Sequence, residues 1–296
     1  MLYYHTEREI SLDLTDAIMA HSGDITLTYK TVFGEDLSLS YYFPENYQMQ
    51  ECLFPSIVFI HGGGWRSRKI FPEQNGVWQG DYLGYLARFF SQKGYVCVSV
   101  DYRLIRNMGQ KDGYQIIDCA DDCADAVEYI LQNAATFKIN TNCVYLLGES
   151  AGGQLAGMLA TRYKFKNFRF KRTFLFNSIL NFEKDAKWKN YIPRESVHPA
   201  LRSRTYESRM SYLSPEKGIC SNMNPIVLFH GDCDHTVDKL HSENFYYAMK
   251  ELDLPCDIHI MSNAQHAFLL AEYTVQHDIC KNAILILQEA LHNGAV

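Results

Sequence analysis

Ser150 stands in the run Gly148-Glu149-Ser150-Ala151-Gly152, after an apolar stretch that opens at Cys143 and before a helical one that opens Gln154-Leu155-Ala156. A serine on a tight strand-to-helix turn presents its hydroxyl as a nucleophile, and the turn favours residues without a β-carbon two positions before and two after it. Gly148 and Gly152 occupy those positions. The pentapeptide alone recurs by chance; a strand before it and a helix after it give it weight. Ala151 has the first free amide of the helix, pointing to where an oxyanion would form, and a helix N-terminus favours that charge. Glu149 is read as support for the turn, because its side chain should point away from a reacting carbonyl.

A second run, His61-Gly62-Gly63-Gly64-Trp65, closes an earlier apolar stretch. Acyl transfer through a serine needs at least two backbone donors aimed at the developing oxyanion. Gly63 and Gly64 are expected to supply them together with Ala151. His61, at the end of its strand, is expected to brace the loop by hydrogen bonding rather than to act as a base.

The nucleophile also needs a base, and the base needs an acid to orient it. On a sheet with this kind of elbow the partners follow the serine in the order acid, then histidine, at the ends of later strands. Gly231-Asp232-Cys233-Asp234-His235-Thr236-Val237 follows one strand-like stretch, and Ser262-Asn263-Ala264-Gln265-His266-Ala267-Phe268 follows the next. Asp234, deep in its loop, is taken as the acid over Asp232, which directly follows the strand-end glycine, and over Asp238, a cap at the helix start. His266 is taken as the base. His259 lies in a strand and His277 in a helix, where a histidine is structural; His230, His235 and His241 are expected in loops or at the surface. His266 would then take the proton of Ser150 while Asp234 fixes its tautomer, and an acyl intermediate would form and be released by water with no cofactor.

These groups need a scaffold, and from Phe54 onward short β-rich apolar runs alternate with stretches of helical period. That alternation predicts a mostly parallel sheet with helices on both faces. The strands expected are 56–60, 95–101, 143–148, 173–177, 225–230 and 257–261, preceded by an antiparallel hairpin at 26–29 and 37–42. Helices are expected at 82–92, 115–133, 151–163, 239–251 and 275–292. In the second of these Ile116, Ala120, Cys123, Val127, Ile130 and Leu131 recur at helical steps, while Asp118, Asp121, Asp122 and Asp125 fill much of the remainder. The four acids are read as a solvated face at a helix start, and no metal site is expected. Residues 181–215 break the rhythm and read as an insertion over the catalytic edge.

The chain has 296 residues, 47% of them hydrophobic and 21% charged, enough apolar material for a large core and too much for disorder. One domain over 1–296 is expected, since a doubly wound sheet commonly fills such a length. Net charge is −6. The densest basic cluster, Lys164, Lys166, Arg169, Lys171 and Arg172 among Phe165, Phe168 and Phe170, reads as a solvated loop, and no nucleic-acid partner is expected. The N-terminal residues lack a basic start followed by an apolar run, and no segment is long enough to span a bilayer, so neither a cleaved signal nor a membrane partner is expected. The nine cysteines form no Cys-x-x-Cys, and Cys97 and Cys143 sit in apolar runs as small hydrophobes, which fits a cytoplasmic setting. A homodimer is left open.

Together these residues resemble the esterase branch of the α/β-hydrolases, which includes hormone-sensitive-lipase-like carboxylesterases and microbial bifunctional feruloyl and acetyl esterases. The resemblance runs through residues 61–65, Val100-Asp101-Tyr102-Arg103-Leu104, Asp122 to Asn133-Ala134, residues 148–153, His230-Gly231 with Asp234 and Val237, and His266, roughly residues 55–268 in all. It implies the α/β-hydrolase fold and hydrolysis of a small-molecule carboxylic ester. It further implies that Asp101, Tyr102 and Arg103 brace the oxyanion loop, with Arg103 paired to an acid such as Asp122. Two departures bear on substrate range. Residues 104–109 lack the proline-rich stretch common in the family, and Ala267 replaces a glycine often found after the base.

Trp65, Phe71, Trp78, Tyr102 and Trp188 are candidates to wall a substrate pocket, Trp65, Trp78 and Trp188 foremost. No long apolar lid is present, which favours short acyl esters; acetyl or feruloyl esters of carbohydrates rest on the resemblance alone. Amide cleavage by a formamidase or an aminopeptidase-like relative stays open, because peptidases of this fold share the loop with Asp234 and Val237. A non-catalytic ligand receptor would have no need of the complete set of groups.

Overall fold

The computed structural model describes residues 2–4, 23–67, 83–105, 113–266, 268–269 and 277–292. Phe71, Trp78, residues 106–109 and Ala267 lie outside the described residues, as does the side chain of His277. In chain order the elements are β1 (Leu2–Tyr4), β2 (Ile25–Val32), β3 (Glu35–Tyr42), β4 (Phe54–Ile60), α1 (Gly84–Gln92), β5 (Val96–Val100), α2 (Ile116–Gln132), β6 (Ile139–Glu149) and α3 (Ala151–Thr161). They continue with β7 (Arg172–Phe176), α4 (Ala186–Lys189), α5 (Tyr206–Leu213), β8 (Ile226–Gly231), α6 (Leu240–Lys250), β9 (Cys256–Met261) and α7 (His277–His292).

Apolar side chains on both faces of the central strands dictate the layers. In β4, Val58 and Ile60 enter one core cluster while Ile57 and Phe59 enter the other; in β6, Val144 and Leu146 face opposite to Tyr145 and Leu147. A strand apolar on both faces must be covered on both. Helices α2 and α3 cover one side through Ile116, Val127, Leu155 and Leu159. On the other, α1 and α7 supply Leu86, Phe90, Ile284 and Leu287.

Among the described residues the sheet has nine strands in the order β1-β9-β8-β7-β6-β4-β5-β3-β2. β3 runs antiparallel to β2 and β5; the remaining pairs are parallel. The chain leaves β4 on one side to form β5 and returns to its other side to form β6. Where connections diverge in this way, a crevice opens outside the carboxyl ends of the strands. Ile60 is in register with Gly148, so the glycine loop after β4 and the serine turn after β6 both reach that crevice.

The expected strands and helices are present within a few residues of their predicted bounds. The hairpin is longer than predicted, and Phe33 and Gly34, both at positive φ (50° and 80°), make its two-residue turn. β1, parallel to β9, has three residues, too few to carry a period of their own. Segment 181–215 carries no strand but does contain α4 and α5. α5 has a weak apolar stripe because Arg209 occupies an inward position, its guanidinium donating to the carbonyls of Leu201, Pro193 and Arg194.

The expected solvated acidic face of α2 holds at Asp125, which is exposed, and is corrected by the structure at Asp122. Asp122 is fully buried and receives Arg103 through Nε (2.7 Å), Nη2 (2.9 Å) and the backbone amide (3.0 Å), with Lys30 Nζ at 2.7 Å. Asp121 accepts from Tyr163 and pairs with His198, and Asp118 closes a capping box with Gln115. Acids at helical spacing look alike in a sequence whether they face water or partners brought in from distant strands. No helix among the described residues is long and apolar enough to cross a membrane.

Candidate active site

β6 ends in a turn too tight for ordinary backbone. Ser150 has φ 54° and ψ −118°, a conformation costing of order 1–3 kcal/mol for a residue with a side chain. Its amide is held by Phe176 O at 2.8 Å on the neighbouring strand. A β-carbon at Gly152 would lie 2.2 Å from Ile60 O and 2.3 Å from His61 O, so only glycine lets α3 start against the end of β4. The turn aims Ser150 into the crevice with 7% of its surface exposed, and Ala151 is fully buried beneath it.

Two later loops close on this hydroxyl. His266 Nε2 lies 2.9 Å from Ser150 Oγ, and His266 Nδ1 lies 2.7 Å from Asp234 Oδ2. An ionised carboxylate only accepts, so Nδ1 carries the proton and Nε2 is left to accept from the serine. Asp234 Oδ1 in turn accepts from the amides of Thr236 (2.8 Å) and Val237 (2.9 Å). The structure thus brings together the three residues that the loop order singles out. Asp232 does something else: its Oδ1 accepts from Asn263 N at 2.7 Å and latches the acid loop to the base loop. Asp238 accepts from Leu240 N at 2.9 Å and caps the start of α6.

The electrostatics fit proton transfer. Burial by itself would raise the Asp234 carboxyl, but hydrogen bonds from His230 and His266 and from the Val237 amide hold it well below the usual carboxylate range. Burial alone would lower the imidazole of His266; its bond to Asp234 and the charges of Glu149 and Asp234 outweigh this and raise it above its ordinary value of 6.5. Glu149, fully buried, therefore acts on the His266 imidazole through space. Glu149→Gln removes one negative charge facing the imidazolium and is expected to lower the His266 pKa, which an NMR titration of the imidazole nitrogens checks. An unmoved titration would leave Glu149 with the turn alone.

The loop after β4 is braced from beneath. Tyr102 Oη donates to His61 O at 2.8 Å and its ring stacks on the His61 ring at 4.3 Å, 13° from parallel. His61 Nδ1 donates to Gly62 O at 2.8 Å, the bracing role expected of it. The bidentate Arg103–Asp122 pair anchors the next residues. Gly63 has φ 93°, and a β-carbon there would fall 1.8 Å from Ser67 O, which ties the glycine run to the turn that follows it.

The aromatic candidates need correction. Trp65 is fully buried, its Nε1 donating to Gln154 Oε1 at 3.0 Å, and Tyr102 is fully buried as well. Neither presents surface to a ligand; both fix the loop from within. Trp188, 6% exposed, meets the Trp65 ring edge-on at 6.0 Å. Around this pair Phe182 and Tyr191 complete an aromatic cluster between the insertion and the loop. Aromatic rings spaced among charges read equally well as pocket or as packing. His230 and His241, expected in loops or at the surface, are both buried. Lys187 carries no signal in the sequence, yet its Nζ reaches Thr236 O at 2.8 Å and joins the insertion to the acid loop.

A family model, BD-FAE, matches residues 39–249 of this chain. Among curated proteins, AB hydrolase superfamily protein C1039.03 of Schizosaccharomyces pombe is 33% identical over 107 residues, 36% of this chain and 27% of its own length. Isoprenylcysteine alpha-carbonyl methylesterase ICME of Arabidopsis thaliana is 23% identical over 260 residues, 79% of this chain and 54% of its own. The chain therefore spans about half or less of these relatives. A thermophilic esterase of the planctomycete Thermogutta terrifontis, in propionate-bound form, superposes with a TM-score of 0.68 at 24% identity, covering 91% of this chain and 95% of that one. Its butyrate-bound form gives 0.69 at 23% identity, covering 91% and 95%. At such identities the likeness is one of fold.

Proposed function

Because the chain belongs to the BD-FAE family and has the α/β-hydrolase fold, we propose that it hydrolyses carboxylic esters through an acyl-enzyme on Ser150. The observation that carries this reading is the chain of contacts from Ser150 Oγ to His266 Nε2 (2.9 Å) and from His266 Nδ1 to Asp234 Oδ2 (2.7 Å), mounted on a strained elbow. Attack by Oγ on the ester carbonyl transfers the serine proton to His266, and Asp234 stabilises the imidazolium that forms. The amides of Gly63, Gly64 and Ala151 receive the oxyanion, each donor contributing about a hundredfold or more in turnover. His266 returns its proton to the leaving alcohol; it then takes one from water, which releases the acid.

For the substrate we propose short acyl groups of about two to four carbons, with preference falling away gradually as the chain lengthens, by about 1–3 kcal/mol per methylene. Support comes from the propionate- and butyrate-bound forms of the Thermogutta terrifontis esterase. The test is a panel of p-nitrophenyl esters of rising chain length, feruloyl and acetylated sugar esters and N-formylkynurenine, with a fluorophosphonate probe to locate the nucleophile. Ester turnover with labelling of Ser150 supports the reading. Amide turnover exceeding ester turnover, or labelling elsewhere, overturns it.

Trp188 is the change most informative about the pocket. Its ring is nearly buried, and its Nε1–H has no hydrogen-bond partner among the described residues. If Trp188 forms a wall of the pocket, Trp188→Ala raises kcat/KM for longer acyl chains relative to acetyl, by roughly tenfold per methylene accommodated. An unchanged chain-length profile would assign Trp188 to the packing of residues 181–215.

A further inference from the structure

We propose that His230 is a positioning residue for the acid, holding the Asp234 carboxylate in place against His266. This inference rests on the Ser150–His266–Asp234 reading. His230 lies in β8 beside its terminal glycine and is fully buried. Its Nε2 is 3.0 Å from Val237 O and 3.4 Å from Asp234 Oδ2, and its Nδ1 is 2.8 Å from Ser242 Oγ on α6. A carbonyl only accepts, so in the neutral ring Nε2 carries the proton and Nδ1 accepts from the Ser242 hydroxyl. The neighbours thereby choose the tautomer.

That choice puts the N–H on Val237 O with Asp234 Oδ2 beside it at 3.4 Å, the oxygen that also receives Nδ1–H of His266 at 2.7 Å. Asp234 Oδ1 is held by two amides of its own loop, those of Thr236 and Val237. The contacts to Oδ2 come from outside the loop, His266 on one hand and His230 on the other. His266 must exchange protons and shift during turnover, whereas His230 is pinned by Val237 and Ser242 and stays. Its single N–H donates to Val237 O and lies next to Asp234 Oδ2, so the ring is wedged between the loop's far end and the carboxylate that the loop presents.

The charged groups around this pair are Asp234, Glu149 and Lys187 facing His266, and His241 on α6 facing His230. None of them supplies a second neutral N–H to Oδ2. With the His230 donor gone, the carboxylate is free to rotate toward the loop amides, and the His266 imidazolium loses part of its partner. Turnover then falls, and the acid limb of the pH–rate profile moves to lower pH, because a less stabilised imidazolium gives up its proton earlier.

The experiment measures kcat, KM and the pH dependence of kcat/KM on p-nitrophenyl acetate for the wild type, His230→Leu, His230→Gln and Ser242→Ala. Folding is checked by circular dichroism and thermal melting, and Ser150 by fluorophosphonate labelling. His230→Leu is expected to lose on the order of tenfold to a hundredfold in kcat with KM little changed, the cost of a displaced catalytic group, and its acid limb is expected lower. His230→Gln, whose amide N–H can reach where Nε2–H was, is expected to recover most of both. A folded His230→Leu with kcat within about twofold of wild type and an unmoved limb overturns the inference while labelling of Ser150 leaves the triad standing. If both His230 variants fail to fold, Ser242→Ala decides: a limb displaced to lower pH supports the inference and an unmoved one overturns it. Wild-type protein unlabelled at Ser150 would overturn the triad and this inference together.

Discussion

Ser150→Ala is expected to fold as the wild type does and to lose ester hydrolysis by roughly 10⁴- to 10⁶-fold in kcat, the range found when the nucleophile of a serine–histidine–acid set is removed. The fold should tolerate the change because alanine meets the same cost at φ 54° as serine, and the substitution removes the side-chain hydrogen bond to His266. The backbone bond from residue 150 to Phe176 O is untouched. Activity should vanish because no other hydroxyl among the described residues sits on a strand-to-helix turn next to a paired imidazole. A thermal melt and an esterase assay on protein freed of host esterases make the check. Retention of more than a few per cent of the wild-type rate would sink the assignment.

Asp234→Asn is expected to lower kcat by about 10⁴-fold, whereas Asp232→Asn should cost little. An asparagine at 234 that turns its amide N–H toward His266 Nδ1 favours the tautomer with its proton on Nε2, which cannot accept from Ser150, and one that turns its neutral oxygen there leaves the imidazolium without an opposing charge. At 232 the side chain accepts one amide, that of Asn263, and an asparagine oxygen accepts it equally well. Reversed effects, measured as kcat on one ester, would place the acid two residues earlier. Because Asp234 is held far below the usual carboxylate range, it stays ionised through the pH range of an ordinary assay. Loss of activity on acidification is therefore expected to follow the protonation of His266, above pH 6.5.

The features legible in the chain are those set by near neighbours. Gly148-Glu149-Ser150-Ala151-Gly152 between a strand and a helix announces the elbow, since strand, turn and helix are specified within about twenty residues of it. The glycine run after β4 and the two loops with Asp234 and His266 are found by their order along a sheet whose strands reveal themselves by apolar runs. Asp234 is separable from Asp232 in the sequence by depth in the loop alone, and the latch from Asp232 to Asn263 gives the physical ground for that distinction.

Other roles depend on which distant element arrives, and there the chain is mute. By its period Asp122 looks like one more surface acid of α2; the family resemblance alone pairs it with Arg103, and Lys30 joins them only on folding. Trp65 and Trp188 read equally as walls or packing; their mutual contact makes Trp65 the inside of a loop. His230 stands four residues before Asp234, a spacing without meaning in a strand followed by a turn. It becomes a neighbour of the carboxylate only because the loop doubles back and α6 brings Ser242 to its other nitrogen. The candidate nucleophile, the order of its proposed partners and the layers of the fold can be read before folding, because local backbone conformation and apolar periodicity write them directly into the chain. Which polar groups are buried, and what meets them there, emerges only on packing, because burial and hydrogen-bond partnership are properties of the assembled whole and leave no period in the sequence.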